Sequence, residues 1–293
     1  MYKGLNRAGI GKAGNDIEQF ICLASKYGFE AIDIDCKCLE QFTERFGIEG
    51  GLNFLNKHRV KIASVDMPVE WRKTNREFQT SFEKFPTLVT KAYKLGCTRF
   101  STFLHPSTEK NAAKYMLEAT QRLRHIAQFL KIYEMDLALE FVAPYHLRNA
   151  HHNELIWTIE DMLLWIDVIN QSNVGILLDS FHWYSSKSSV EDILQLDVKS
   201  IIHVHINDAP DIPIEEVLDY DRLYPLEGVI NLYDFLSALK QIGYNGVVSQ
   251  EVLTPSMPNE DSEILFAKSA RAMSKLFETL SIKIKDWSCN DAK

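Results

Sequence analysis

Residues 174–180 read Val174-Gly175-Ile176-Leu177-Leu178-Asp179-Ser180, and residues 201–208 read Ile201-Ile202-His203-Val204-His205-Ile206-Asn207-Asp208. Each is a short apolar, β-rich run that closes on a side chain able to bind a metal or carry a proton. The same figure recurs at Leu137–Val142, which holds Glu140, and at Val247–Val252, which holds Glu251. Upstream, Leu5–Ile10, Phe29–Asp35, Val60–Met67 and Thr98–Leu104 supply four more strand candidates. Apolar residues at helical spacing lie between them, as in Ile17, Phe20, Ile21, Leu23, Ala24 and Tyr27. Further helices are expected up to His58, over Phe78–Leu95, 108–132, Leu155–Asn170, Leu232–Ile242 and Glu260–Leu280. Eight strands alternating with helices imply parallel strands joined by helical crossovers. The expectation is an α/β chain folded as one closed (β/α)8 TIM barrel over residues 1–281, with a polar tail over 282–293. An open doubly wound sheet is the rival; Gly9-x-Gly11-x-x-Gly14 matches the letters of a dinucleotide fingerprint but lacks its strand context.

Composition narrows the function. The chain has 293 residues, 46% hydrophobic and 25% charged, enough to bury a large core without disulfides or structural metals. Acidic residues outnumber basic ones by 40 to 32, and no Lys/Arg-rich run appears. A non-specific grip on phosphate backbones is therefore not expected. The expected partner is a small molecule, with neither nucleic acid nor membrane, and a homo-oligomer is allowed. The five cysteines form no spaced framework, and Cys36-x-Cys38 has no second pair. Met1–Lys12 has no apolar signal-like core, and no stretch approaches the roughly 18 apolar residues of a membrane span. A cytoplasmic protein is expected.

Barrel enzymes carry their chemistry at the C-terminal ends of the strands. Four consecutive strands here end in Glu140, Asp179, His205 and Glu251. Taken singly, each has an ordinary reading: a solvated rim charge, a helix cap for Asp179, a core imidazole for His205. Together, three carboxylates would repel one another, and a divalent cation would relieve them. Three oxygen donors and one imidazole suit Mn²⁺ first, then Mg²⁺ or Co²⁺, with Zn²⁺ also compatible. His203 shares a face with His205 one layer deeper, where a supporting role is expected.

Leu139-Glu140-Phe141, Leu178-Asp179-Ser180-Phe181-His182-Trp183, His203-Val204-His205-Ile206-Asn207-Asp208 and Gln250-Glu251-Val252 resemble, in order, the motifs of the sugar phosphate isomerase/epimerase (xylose isomerase-like) superfamily. Nearly the whole chain takes part, and the ketose 3-epimerase and inosose-processing branch is the best match. The resemblance implies one divalent metal on Glu140, Asp179, His205 and Glu251. It also implies that Glu140 and Glu251 exchange protons with a sugar, sugar phosphate or inosose ketone through a metal-stabilised enediolate, and that His182 contacts substrate. The outcome would be isomerisation or epimerisation, with a dehydratase as the alternative fate. An apurinic-endonuclease-like repair enzyme and a non-catalytic sugar-binding barrel are remoter readings. Two positions depart from the ketose epimerases: Asp211 stands where they carry Arg, and His146 where they carry Glu. Arg222, in a long loop after the seventh strand, is expected to supply the missing cation. Arg72, His105 and Arg148 are further rim candidates. Trp71, Trp183 and Phe103 are candidates to line the pocket against a sugar face.

Overall fold

Strand β1 is Tyr2–Asn6, β2 Ala31–Ile34, β3 Lys61–Asp66, β4 Arg99–Leu104, β5 Asp136–Phe141, β6 Val174–Asp179, β7 Ile201–Ile206 and β8 Val247–Gln250. The computed structural model describes residues 1–287. Each strand pairs in parallel with the next in sequence, and β8 returns to β1 to close the ring. The closed (β/α)8 barrel is thus the architecture, and the open-sheet rival falls away. Strands covered on both faces need continuous apolar runs rather than alternation. β2 and β6 meet that demand, being buried at every position.

Helices sheath the ring: α1 is Ile17–Lys26, α2 Cys36–His58, α3 Asn75–Lys94, α4 Ala112–Lys131, α5 Tyr145–Arg148, α6 Ile159–Ile169, α7 Ser180–Ser185, α8 Val190–Leu194, α9 Leu232–Gln241 and α10 Ser262–Trp287. Their starts are written locally. Asp16 accepts from the amides of Glu18 and Gln19 to open α1, and Thr74 with Glu77 forms a reciprocal capping box on α3. Between sheath and ring the core is aromatic in places; Phe85 of α3 meets Phe100 of β4 edge-on, ring centroids 5.3 Å apart. Trp165 of α6 donates its indole N–H to Thr120 of α4 at 2.8 Å.

Three expectations change. The first strand begins at Tyr2, not Leu5, and ends at Asn6, because Gly9 and Gly11 adopt positive φ (78° and 70°) and turn the chain into a short 3₁₀ segment, Gly11–Asn15. The short helices α5 and α8 were not foreseen; at four and five residues they carry too little periodicity to register, while α7 is the helix that the cap reading of Asp179 implies. The closing helix passes Ile282, where the polar tail was expected, and reaches Trp287; residues 288–293, including Cys289, lie outside the described residues. The long 207–229 loop is a loop as expected. Asp208 pins it, Oδ1 accepting from the amides of Ala209 and Ile230 and Oδ2 from that of Gly228.

Candidate metal centre and active site

The barrel register brings the four strand-end residues together. Asp179 on β6 lies opposite His205 on β7. The amide of Glu251, just past β8, donates to the Ile206 carbonyl on β7 at 3.0 Å. Glu140 on β5 lies opposite Leu177 of β6, two positions before Asp179. One ligand atom from each of Glu140, Asp179, His205 and Glu251 lies within 4.8 Å of the others. His205 Nδ1 faces Glu251 Oε2 at 3.3 Å, Glu140 Oε1 at 3.9 Å and Asp179 Oδ2 at 4.0 Å.

Asp179 serves two ends. Its Oδ1 accepts from the amides of Phe181 and His182 (2.7 and 3.2 Å) and so starts α7, while Oδ2 turns to the site. The helix-cap reading and the ligand reading of this aspartate are both realised, because a carboxylate has lone pairs for each. Asn207 holds Oδ2 by donating from Nδ2 at 3.0 Å.

The residues fit a divalent cation. Glu140 Oε1 and His205 Nδ1 are buried with no hydrogen-bond partner, an arrangement that costs free energy unless something completes it. Burial, then Glu251 and Asp179, pushes the Glu140 carboxyl well above its ordinary range. Burial would raise Asp179 too, but Arg222, His182 and His205 outweigh it and hold that carboxyl low. Burial is likewise overcome at Glu251 by His205 and Arg222. At His205 burial alone would lower the imidazole; Glu251 and Asp33 raise it well above its usual value. A cluster strained in this way is what a cation relieves.

Asp33 is a residue the sequence reading did not assign to the site. Its Oδ2 accepts from His203 Nε2 at 3.1 Å and from His205 Nε2 at 3.2 Å. With Nε2 donating to Asp33, His205 turns Nδ1 toward the carboxylates, where a bound cation would take its lone pair in place of a proton. His203 lies one layer deeper, fully buried, as its place on β7 required. An acid at the end of the second strand was the available signal; it was legible only as part of an acidic alternation.

Arg222 reaches the centre from the 207–229 loop and is almost wholly buried. Its Nη1 donates to Asp179 Oδ2 and Glu251 Oε2, both at 3.0 Å, and Nη2 donates to Asp219 Oδ1 at 2.7 Å. Expected as a substrate grip, it is engaged by the carboxylates of the centre itself. His182, also buried, accepts at Nδ1 from the Ala143 amide at 3.4 Å and turns Nε2 toward Arg222 Nη2 at 3.3 Å, with Glu140 Oε1 and Asp219 Oδ1 3.7 and 3.8 Å away.

Two adjoining lobes open over the centre. One, of about 410 Å³, is walled by Glu140, His182, His205, Arg222 and Glu251 together with Arg72, Phe103, His105, His146, Asp219 and Tyr220. The other, of about 450 Å³, is lined by Arg7, Asn15 and Asp35 and shares Asp66 and Glu251 with the first. Arg72 and His105 are therefore placed at the cavity as expected. Trp71 is not: it is buried in the wall and donates its indole N–H to Thr102, and the Arg72 guanidinium lies 4.3 Å from its ring centroid and 4.2 Å from that of Phe103. Trp183 packs on Phe235 and donates to the Ser189 carbonyl, and Arg148 stacks on Trp157; neither lines the two lobes. Both were misplaced because sequence order marks a loop but not the side on which its side chains lie.

Residues 21–276 match the family model described as xylose isomerase-like TIM barrel. The chain belongs to that family. It is 26% identical to an inosose isomerase of Bacillus velezensis over 245 residues, 82% of this chain and 85% of the relative. In keeping with such relatives, it is an enzyme of the sugar isomerase and epimerase kind. Among solved structures, a xylose isomerase domain protein from Alicyclobacillus acidocaldarius superposes with TM-score 0.88 at 27% identity, covering 96% of this chain and 99% of that one. The IOLI protein, solved with a zinc atom bound, superposes with TM-score 0.80 at 23% identity over 96% and 99% of the two chains, a likeness of fold. Among the described residues, no helix is long and apolar enough to cross a membrane.

Proposed function

We propose that this enzyme isomerises or epimerises a ketone derived from a sugar or polyol, moving a proton next to the carbonyl with Glu140 and Glu251. The observation that carries the reading is the meeting of these two glutamates, from β5 and from the end of β8, with Asp179 and His205 at one point of the barrel mouth. Glu140, Asp179, His205 and Glu251 would hold one divalent cation, Mn²⁺ by preference, which when bound supplies Lewis-acid polarisation of the substrate carbonyl and its neighbouring hydroxyl. The zinc reported in the IOLI protein and the inosose named for the Bacillus relative support the metal and the substrate class.

The chain's own groups supply the rest. One glutamate takes the proton and the other returns it, to the opposite face for epimerisation or to the adjacent carbon for isomerisation. Arg222 holds Asp179 and Glu251 in place, and His182 turns its Nε2 toward a substrate hydroxyl. Arg72, held against the rings of Trp71 and Phe103, and His105 contact the distal part of the substrate. The test is a set of keto-sugars and inososes incubated with the Mn²⁺-loaded enzyme in D₂O and followed by NMR. Exchange of the C–H beside the carbonyl, with an isomer as product, is expected; binding without exchange would overturn the reading.

A further inference from the structure

Beside the segment that brings Arg72 to the cavity lies a separate recess of about 390 Å³. Lys73, Lys110, Lys114 and Arg122 line it, against one carboxylate, Glu118. In a chain of net charge −8 this is a local excess of positive charge. It is assembled from segments far apart in the chain, so no basic run announces it.

Two of the cations are held in place by the backbone they serve. Arg122, 7% exposed, donates from Nη1 to the carbonyls of Trp71 and Lys73, both at 2.7 Å. Lys110 donates to the Arg72 carbonyl at 2.9 Å, one bond for an ammonium that carries three donors. Nearby acids take up part of the charge. Glu70 pairs with Lys73 at 3.2 Å, and Glu77 is engaged in the capping box of Thr74. Glu118 stands 4.0 Å from Lys114 and 3.8 Å from Arg122, too far to hydrogen-bond either. Among the described residues, Lys110 has no carboxylate within 4 Å.

An independent observation points to a ligand. Tyr115, 8% exposed, lines the recess, and its hydroxyl has no hydrogen-bond partner among the described residues. A hydroxyl so placed costs free energy that an acceptor in the recess would recover. The caps of α3 and α4, Thr74 and Asn111, line the same recess, so both helices add the partial positive charge of their first turns.

We infer that this recess binds a phosphate group, free or carried on a small ester, at a site separate from the candidate metal centre. Lys110, Lys114 and Arg122 balance its charge, and the Tyr115 hydroxyl donates to one of its oxygens. Phosphate fits better than a carboxylate because it brings close to two charges and three acceptor oxygens to a set of donors that surrounds it. The recess shares no lining residue with the two lobes over the metal centre, so the inference does not rest on the proposed reaction.

The test is calorimetric titration of the full-length, Mg²⁺-loaded protein with inorganic phosphate, with glycerol 3-phosphate and with glycerol. Both phosphates are expected to bind once per chain, and glycerol not at all. A tighter Kd for the ester would mean that the recess also holds the carbon chain; equal values would mean that it reads the phosphate alone. Lys110→Met should weaken phosphate about tenfold, and Tyr115→Phe and Lys114→Met about threefold each. Lys114 is an exposed side chain, so its variant guards against a folding effect. Glu118→Gln should tighten phosphate about threefold, a gain that damaged folding would not produce. Chelation of Mg²⁺ should leave the Kd unchanged. No saturable phosphate binding, equal binding of glycerol, affinities indifferent to Lys110, Lys114, Tyr115 and Glu118, or binding that disappears on chelation each overturns the inference.

Discussion

Asp33 and His205 are joined by a hydrogen bond from Nε2 to Oδ2 at 3.2 Å, inside the barrel and beneath the candidate metal centre. The same oxygen accepts from His203, so one carboxylate orients two imidazoles. Partners of this kind fix the tautomer of a metal-facing histidine and raise its basicity. Asp33→Asn is accordingly expected to weaken Mn²⁺ or Zn²⁺ binding roughly 10–100-fold. Competition against a chelating dye measures this; an unchanged metal affinity would show that Asp33 only packs the barrel interior.

Glu140 and Glu251 stand on opposite flanks of the β6–β7 pair. If they share the proton transfer, Glu140→Gln and Glu251→Gln should each slow C–H exchange by about 10²–10⁴-fold. Amide side chains keep the shape, so circular dichroism should be unaltered. A Glu251→Gln enzyme with near-normal exchange would remove this residue from the chemistry.

Asp66 ends β3 where the two lobes meet; its surface is open to the cavity, and loss of water around it, with Glu251 and Asp33, pushes its carboxyl up to about 7. The ordinary value is about 3.9. Between those two values the folded chain keeps a proton that the unfolded chain has released. The associated stability is complete below about pH 4 and lost as pH rises through 7. Chelator-treated Asp66→Asn should therefore resist urea better than wild type at pH 8, and the difference should close toward pH 4. A difference that stays constant across that window would contradict the assignment.

Asp208 closes the loop that carries Asp219, Tyr220 and Arg222 by accepting three backbone amides. Asp208→Ala would leave buried donors unmet, and a loss of about 1–3 kcal/mol in unfolding free energy is expected. Because Arg222 depends on this loop, metal affinity should fall together with stability. Denaturant unfolding and a metal titration on the same preparation check both; loss of neither would mean that the loop holds without its aspartate.

Much of this could be read before folding. The apolar runs at 137–142, 174–178, 201–206 and 247–252 each hold a strand on both readings, because strands buried on two faces must be largely apolar and their polar residues stand out at the ends. Glu140, Asp179, His205 and Glu251 stood out for that reason. The first strand was misjudged because Gly9 and Gly11 sit in a run that otherwise passes for β structure.

The order of strands and the four side chains at their ends are properties of the sequence, since burial on both faces forces a local pattern that the letters display. Asp33 beneath His205, Arg222 among the carboxylates and Phe103 against Arg72 were decided only by the closed barrel. Each joins segments distant in the chain, and no local pattern specifies which side chains a ring of eight strands will turn toward the same few ångströms of space.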